Sequence, residues 1–397
     1  MGKNMFYKKQ LQKNIGLMPL FNFLIYTKLF TGIISVYFAK VTGSYAVGIS
    51  LFAIIQVSLA LMEVPTGVFS DTLGRRKCLI IGAVLSLMSV LFFAIGSSYL
   101  ILALGAMFVG ISEAFFSGNN EALLYESLDG VDKKGKYDQK LGEVRSSMEF
   151  SFLVGGVVGG IIAIWSVSLL MWLSLIPQIF GVWLSFQFSE PPNKRSGVGN
   201  VYAHLKEAVN LFKTNIQMRR LSLAGIISEG GGAGWPLFAL FYNTLLPVSL
   251  VSFMVSANFL ISSISYRLSG KVIKRFSAIR LLIIDKMFGR IINIFALSFP
   301  TILSPPMMAL GSIFYGPAEV AQNALLQLEF SDKQRATMAS LNSLFGNAFY
   351  VVCATTLGLL ADKIGVAKTL LLAQFLTVPV LILYLKFSRD SKKRGVN

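Results

Sequence analysis

The chain has 397 residues, 54% of them hydrophobic and 14% charged, where soluble domains carry about 25% charged residues. So little polar surface cannot coat a globule in water, which excludes a soluble globular protein and leaves a membrane protein as the natural class. The net charge of +17 would suit a nucleic-acid partner, but its distribution along the chain speaks against one.

In chain order, twelve apolar segments cover roughly 15–38, 45–69, 78–97, 100–125, 143–165, 168–188, 221–243, 249–268, 279–298, 302–328, 336–360 and 367–387. Most reach the ~20 residues that a helix needs to cross the hydrocarbon core. The alternating stretches of about 10 residues that build a strand barrel are absent. The expected fold class is therefore an all-α membrane protein with twelve transmembrane helices. Segment 1 is longer than a signal-peptide core, contains Lys28 and is followed by no small-residue cleavage site, so no cleavable leader is expected. Thirty of the 36 basic residues fall in the two tails and alternate loops, while the opposite loops hold three, Lys40, Lys363 and Lys368. This bias predicts both termini in the cytoplasm. Anionic lipid headgroups are a sufficient partner for the charge.

Between segments 2 and 3 the chain reads EVPTGVFSDTLGRRK, residues 63–77. Arg75, Arg76 and Lys77 hold this turn on the cytoplasmic side, Gly74 allows a tight reversal, and Gly67 permits close helix packing. Asp71 is not explained by topology. Glu63 lies about two turns earlier in an apolar helix, ahead of Pro65, and either joins an inner-gate network or snorkels to the headgroups. Segment 5 carries Gly155, Gly156, Gly159 and Gly160, a pattern suited to close helix packing.

After segment 6 comes the longest hydrophilic stretch, broken by Pro191, Pro192 and glycines 197 and 199. From Val201 a helical period returns, with Val201, Leu205, Ala208, Val209 and Phe212 on one face, as in an amphipathic helix lying on the inner leaflet. The expected organisation is a six-helix half at 1–190, a cytoplasmic linker at 191–220 and a second six-helix half at 221–397. Two internal matches support duplication. NEALLYESLD at 120–129 pairs with QNALLQLEFSD at 322–332, and SDTLGRR at 70–76 pairs with SGKVIKR at 269–275.

Charges inside apolar segments are costly, about 2.5–3.5 kcal/mol at a helix centre, and are functional candidates by default. They are Lys28 in segment 1, Glu113 and Glu121 in segment 4, Glu149 in segment 5, Glu229 in segment 7, Asp285, Lys286 and Arg290 in segment 9, and Glu319 in segment 10. Lys28 and Glu113 fall at similar depth and form either a structural ion pair or a proton carrier with its tuning cation. Glu229 and Glu319 also share a depth, and two carboxylates facing one cavity would titrate together. Segment 7 adds GGGAGWP at 230–236, which favours a helix break or a packing face. Asp285 and Lys286 are expected to snorkel. Cys78 and Cys353 are expected as free thiols. The lone His204 could not build a multi-histidine metal site, so neither metal nor cofactor is expected. No P-loop and no Ser-His-Asp set is available, so an enzyme is not expected.

Gly67-Val-Phe-Ser-Asp71-Thr-Leu-Gly74-Arg75-Arg76 resembles the loop signature G-x-x-x-D-R-x-G-R-[RK] of the major facilitator superfamily, with Thr72 in place of an arginine. The E-x-P-T-G run resembles a bacterial, drug-efflux-like subgroup. The resemblance covers the whole chain and implies two pseudo-symmetric six-helix bundles, a monomer in the bacterial inner membrane, and a cavity lined by segments 1, 4, 7 and 10. It also implies that Asp71 latches the inner gate against the start of segment 11, near Ser331 and Asp332. Residues 153–160 resemble the antiporter signature G-P-x-x-G-G, with Gly156 in place of proline.

The function expected is secondary transport of a small molecule by alternating access, coupled to protons and exporting amphipathic compounds. The alternative is a proton-coupled importer of a small polar or anionic metabolite, which Lys28 favours. A non-transporting receptor or scaffold stands behind both.

Overall fold

The structure is a computed structural model that describes residues 2–191, 212, 214–329 and 335–393. Every regular element among them is helical. The first run is α1 (Gly2–Tyr26), α2 (Ile34–Thr42), α3 (Tyr45–Leu73), α4 (Arg75–Ile95), α5 (Tyr99–Phe116), α6 (Asn119–Gly130), α7 (Tyr137–Ile162), α8 (Val167–Leu173) and α9 (Leu175–Ser185). The second is α10 (Ile216–Gly232), α11 (Trp235–Asn243), α12 (Val248–Phe276), α13 (Ala278–Ser298), α14 (Ser304–Leu310), α15 (Tyr315–Glu329), α16 (Arg335–Ile364), α17 (Val366–Gln374) and α18 (Thr377–Lys393). Both runs follow one order: an interrupted helix, two continuous ones, an interrupted one, a continuous one, an interrupted one. The amphipathic helix expected from Val201 lies outside the described residues, apart from Phe212.

Among the described residues, seven stretches are long and apolar enough to cross a membrane: Tyr45–Glu63, Arg75–Ile95, Tyr99–Gly130, Val167–Ser185, Val248–Phe276, Leu341–Ile364 and Val366–Asp390. The other expected segments lie on α1, α7, α10, α13 and α14–α15, where lysines, arginines, acids or breaks dilute the apolar run.

Helices outrun their apolar segments. α3 passes through Pro65 and on to Leu73, and α12 continues to Phe276 through Lys271, Lys274 and Arg275. Charged residues are good helix formers, so leaving the bilayer does not end a helix; a breaker does. The breakers are Gly74 (φ 92, ψ 162) and Ser277 (φ 57, ψ 150), in nearly the same conformation. The SGKVIKR match is therefore displaced. Those residues form the last turns of α12, and the reversal follows them.

The chain clusters into two compact units. Unit 1 comprises Met1–Gly43, Ile54–Ser196 and Val248–Ser256. Its core gathers Met18, Phe21, Ile25, Leu79, Phe116, Leu123 and Phe188. Phe21 meets Phe116 and Phe188 edge-on, with ring centroids 5.9 and 5.3 Å apart. Unit 2 comprises Ser44–Ala53, Gly197–Pro247 and Ala257–Asn397. Its core holds Leu221, Leu282, Ala318, Val380, Tyr384 and Phe387. The first turns of α3 thus belong to unit 2, and those of α12 to unit 1.

Candidate functional site

In unit 1, α1 stops at Tyr26 and the next helix begins only at Ile34. Irregular backbone at membrane depth needs partners for the groups it frees. Gln178, fully buried on α9, supplies them. Its Nε2 donates to the carbonyls of Leu24 (3.3 Å), Ile25 (3.0 Å) and Thr27 (3.3 Å), and its Oε1 accepts from Ser86 Oγ at 2.8 Å. Ser174 Oγ accepts from the Leu29 amide at 3.1 Å. Sequence reading missed both residues; a glutamine within an apolar segment was the available signal.

Lys28 sits in this break, half-buried. Glu113 lies in the last turn of α5, just before a second interruption at Ser117 and Gly118 (φ 71). Tyr26 Oη donates to Glu113 Oε2 at 2.9 Å, and Lys28 lies within electrostatic reach of the same carboxylate. Glu113 is therefore in hydrogen-bond contact with Tyr26 and within electrostatic reach of Lys28, near interruptions in two helices.

α7 shapes the other wall of the break. A Cβ on Gly159 would overlap the Leu29 carbonyl oxygen, and one on Gly155 would stand 2.9 Å from the Lys28 carbonyl oxygen. On the neighbouring face, a Cβ on Gly156 would overlap Ser256 Oγ, and one on Gly160 would lie 3.0 Å from the Ser249 carbonyl oxygen. Ser252 Oγ donates to the Gly156 carbonyl at 2.7 Å. The four glycines are thus two small-residue stripes on one unbroken helix, each serving a different neighbour.

At the 70–77 turn, Arg75 Nε pairs with Glu126 at 3.2 Å, and its Nη1 bonds Ser70 and Asn119. Glu190, just beyond α9, caps α4: its carboxylate accepts from the amides of Arg75 (2.7 Å) and Arg76 (2.8 Å). Arg76 Nη2 donates to the Phe186 carbonyl at 3.0 Å. Partial burial, with the Glu190 and Glu126 carboxylates beside it, holds the Tyr7 phenol above its usual range. Glu190 escaped the sequence reading because nothing local marks it as a cap for a helix over a hundred residues away. At Gly67 a Cβ would meet nothing within 4 Å among the described residues. Close approaches fall at Gly82, against Phe116, and at Gly110, against Ile55 and Ser58. Glu63 is half-buried within α3. The Asp71 side chain and residues 330–334 lie outside the described residues, and with them the expected latch to the start of segment 11.

In unit 2, Glu229 near the end of α10 and Glu319 on α15 lie within electrostatic reach of one another. α10 and α11 are interrupted at Ala233 and Gly234, whose amides bond back to the carbonyls of Gly230 and Gly231, each at 3.2 Å. Asp285 does not snorkel. It is buried where α13 packs on α15 and α18, with Lys286 Nζ 3.3 Å from its carboxylate. Arg290 donates to Gln374 Oε1 at 3.0 Å. Of the other acids, Glu121 pairs at 2.7 Å with exposed Arg145, and Glu149 stays half-buried on α7. Among the sequence candidates, the structure brings together Lys28 with Glu113 and Glu229 with Glu319. Cys78 and Cys353 are buried thiols, neither joined in a disulfide.

The sequence profile of the Major Facilitator Superfamily matches residues 16–352. The chain belongs to this superfamily. It is a multi-pass membrane transporter of that family by descent and fold. An uncharacterised MFS-type transporter of Methanocaldococcus jannaschii, MJ1560, is 22% identical over 415 aligned positions, covering 96% of this chain and 100% of that protein. Among solved structures, a mutant of the nucleoside transporter NupG superposes with a TM-score of 0.80 at 13% identity, covering 94% of this chain and 99% of the other. A bacterial homologue of the human lysosomal transporter Spinster, inward-facing and unoccupied, gives a TM-score of 0.75 at 14% identity, with 98% of each chain covered. At such identities the likeness shows the major facilitator fold alone.

Proposed function

We propose that this MFS protein is a proton-coupled secondary transporter that exports small amphipathic compounds by alternating access. The observation that carries the reading is the meeting of Tyr26, Lys28 and Glu113 at breaks in α1 and after α5. A carboxyl group held by a tyrosine donor beside a cation, at membrane depth, is suited to taking up and releasing a proton. Interrupted helices recur at transport sites. Glu229 and Glu319 would form a second acidic pair, with Glu121 and Glu149 further out. The chain's 32 Phe and 14 Met would suit varied apolar cargo.

In this reading, helices joined across their short breaks make twelve spans in two halves, 1–190 and 221–397, linked by 191–220. The repeated helix order supports that count, and the charge bias supports cytoplasmic termini in a bacterial inner membrane. The protein would work as a monomer. Asp71 with Gly74, Arg75 and Arg76 would close the inner side. A second reading, import of a small anionic metabolite with protons, is favoured by Lys28, a fixed cation beside the proposed proton carrier.

The test uses purified protein in liposomes under an imposed pH gradient, challenged with lipophilic cations and small organic anions. Proton release on adding a lipophilic cation, lost in Glu113→Gln, is the expected result. A response to anions alone selects the import reading. Undiminished proton coupling in Glu113→Gln would move the carrier elsewhere and sink the assignment.

A further inference from the structure

The first turn of α3, at the end opposite the 70–77 turn, is held by a carboxylate from α16. Asp362 Oδ1 accepts from the Tyr45 amide at 2.7 Å, and Oδ2 accepts from the Ala46 amide at 3.1 Å and from Ser44 Oγ at 2.6 Å. Ser44 Oγ in turn accepts from the Val47 amide at 3.2 Å. These are donors that a helix N-terminus leaves without intrahelical partners, and its partial positive charge adds to the attraction. Ser44 alone supplies a local cap. The second acceptor comes from more than 300 residues along the chain. The two backbones also approach closely, since a Cβ on Gly358 would lie 2.8 Å from Ala46 Cα.

The sequence around Asp362 repeats the spacing of the 70–77 turn. Gly358, Asp362 and Gly365 are placed as Gly67, Asp71 and Gly74 are, in a G-x-x-x-D-x-x-G frame. The closing glycines share one conformation, φ 92 and ψ 162 at Gly74, φ 86 and ψ 158 at Gly365. One copy ends α3 and the other ends α16. The contact lies within unit 2, which claims Ser44–Ala53 while the rest of α3 belongs to unit 1.

We propose that Asp362 is a releasable latch. It holds the first turn of α3 on α16 in the state described here, and lets go when the protein opens at that end. Asp362 is thus a positioning residue for the transport cycle rather than part of the substrate site. The proposal rests on the alternating-access reading, but its test needs no substrate.

Spin labels are placed on exposed Lys40, in unit 1, and exposed Lys368, in unit 2, with Cys78 and Cys353 replaced by serine. Distance distributions are recorded in lipid nanodiscs for the parent, Asp362→Asn and Gly358→Val. The latch predicts a longer-distance population that rises about fivefold in Asp362→Asn, the shift expected from about 1 kcal/mol lost with the charge at the helix N-terminus and one of the two acceptor oxygens. Gly358→Val should move it the same way by wedging the two backbones apart. A distribution unchanged by Asp362→Asn overturns the proposal. So does a change confined to label mobility, which would mark a simple cap of α3. Failure of the alternating-access reading looks different: liposome flux stays silent for every solute while Asp362→Asn still lengthens the distance.

Discussion

The interruption between α1 and α2 and the one between α10 and α11 hold the same place in the repeated helix order, yet they are built by opposite means. The first has side-chain partners from another helix. Gln178 and Ser174 satisfy its backbone, and Gly155 and Gly159 let α7 press against its carbonyl oxygens. The second uses its own backbone, with glycines at 230, 231, 232 and 234 and short local hydrogen bonds. Gly231 and Gly232 face open space among the described residues. One break is held rigidly by its neighbours around a lysine. The other is closed by its own backbone beside Glu229, packed on Phe349 at Gly230 and open at Gly231 and Gly232. A fold can thus repeat its architecture while satisfying one copy of a break through distant side chains and the other through local backbone.

Four substitutions test that contrast. The largest effect is expected for Gly159→Ala, whose added carbon would overlap the Leu29 carbonyl oxygen. Backbone cannot step aside as a side chain can, so a loss of about 3 kcal/mol is expected, read as collapse of the monodisperse peak in size-exclusion chromatography. Gln178→Leu comes next. It strips partners from the freed α1 carbonyls and from Ser86, and should cost about 1–3 kcal/mol, read as a lower melting temperature in detergent. The smallest effect has the opposite sign. Gly231→Ala and Gly232→Ala should each stabilise α10 by about 0.5–1 kcal/mol, because alanine favours helix and no described residue obstructs it. If the glycine break is a working hinge, those two variants melt higher and transport more slowly. Unchanged flux in the stabilised variants would assign the glycines to packing alone.

Much of the framework was legible in the sequence. Apolar length indicated helices, the glycine run before Pro236 marked the α10–α11 interruption, and Gly74 marked a reversal. The helix ends were less legible, because apolar segments report the bilayer whereas helices answer to breakers; hence the overrun of α12 and the slipped SGKVIKR match. Partnerships were least legible. Gln178, Glu190 and Asp362 each bond to backbone more than a hundred residues away. A single polar residue carries no local mark of that distance. Asp285 misled for the same reason: its position near a segment end suggested snorkelling, whereas packing of α13 between neighbours buries it.

The hydrogen bonds from Gln178 to α1 also set an order of events during synthesis. The carbonyls of Leu24, Ile25 and Thr27 leave the ribosome about 150 residues before the side chain that satisfies them. At roughly 5–20 residues per second, that interval lasts on the order of ten seconds. Throughout it the first segment must enter the bilayer with its interruption unsatisfied, sheltered by the insertion machinery or by water drawn in alongside Lys28. The break that another helix satisfies in the finished protein is therefore one the nascent chain must first carry without that helix.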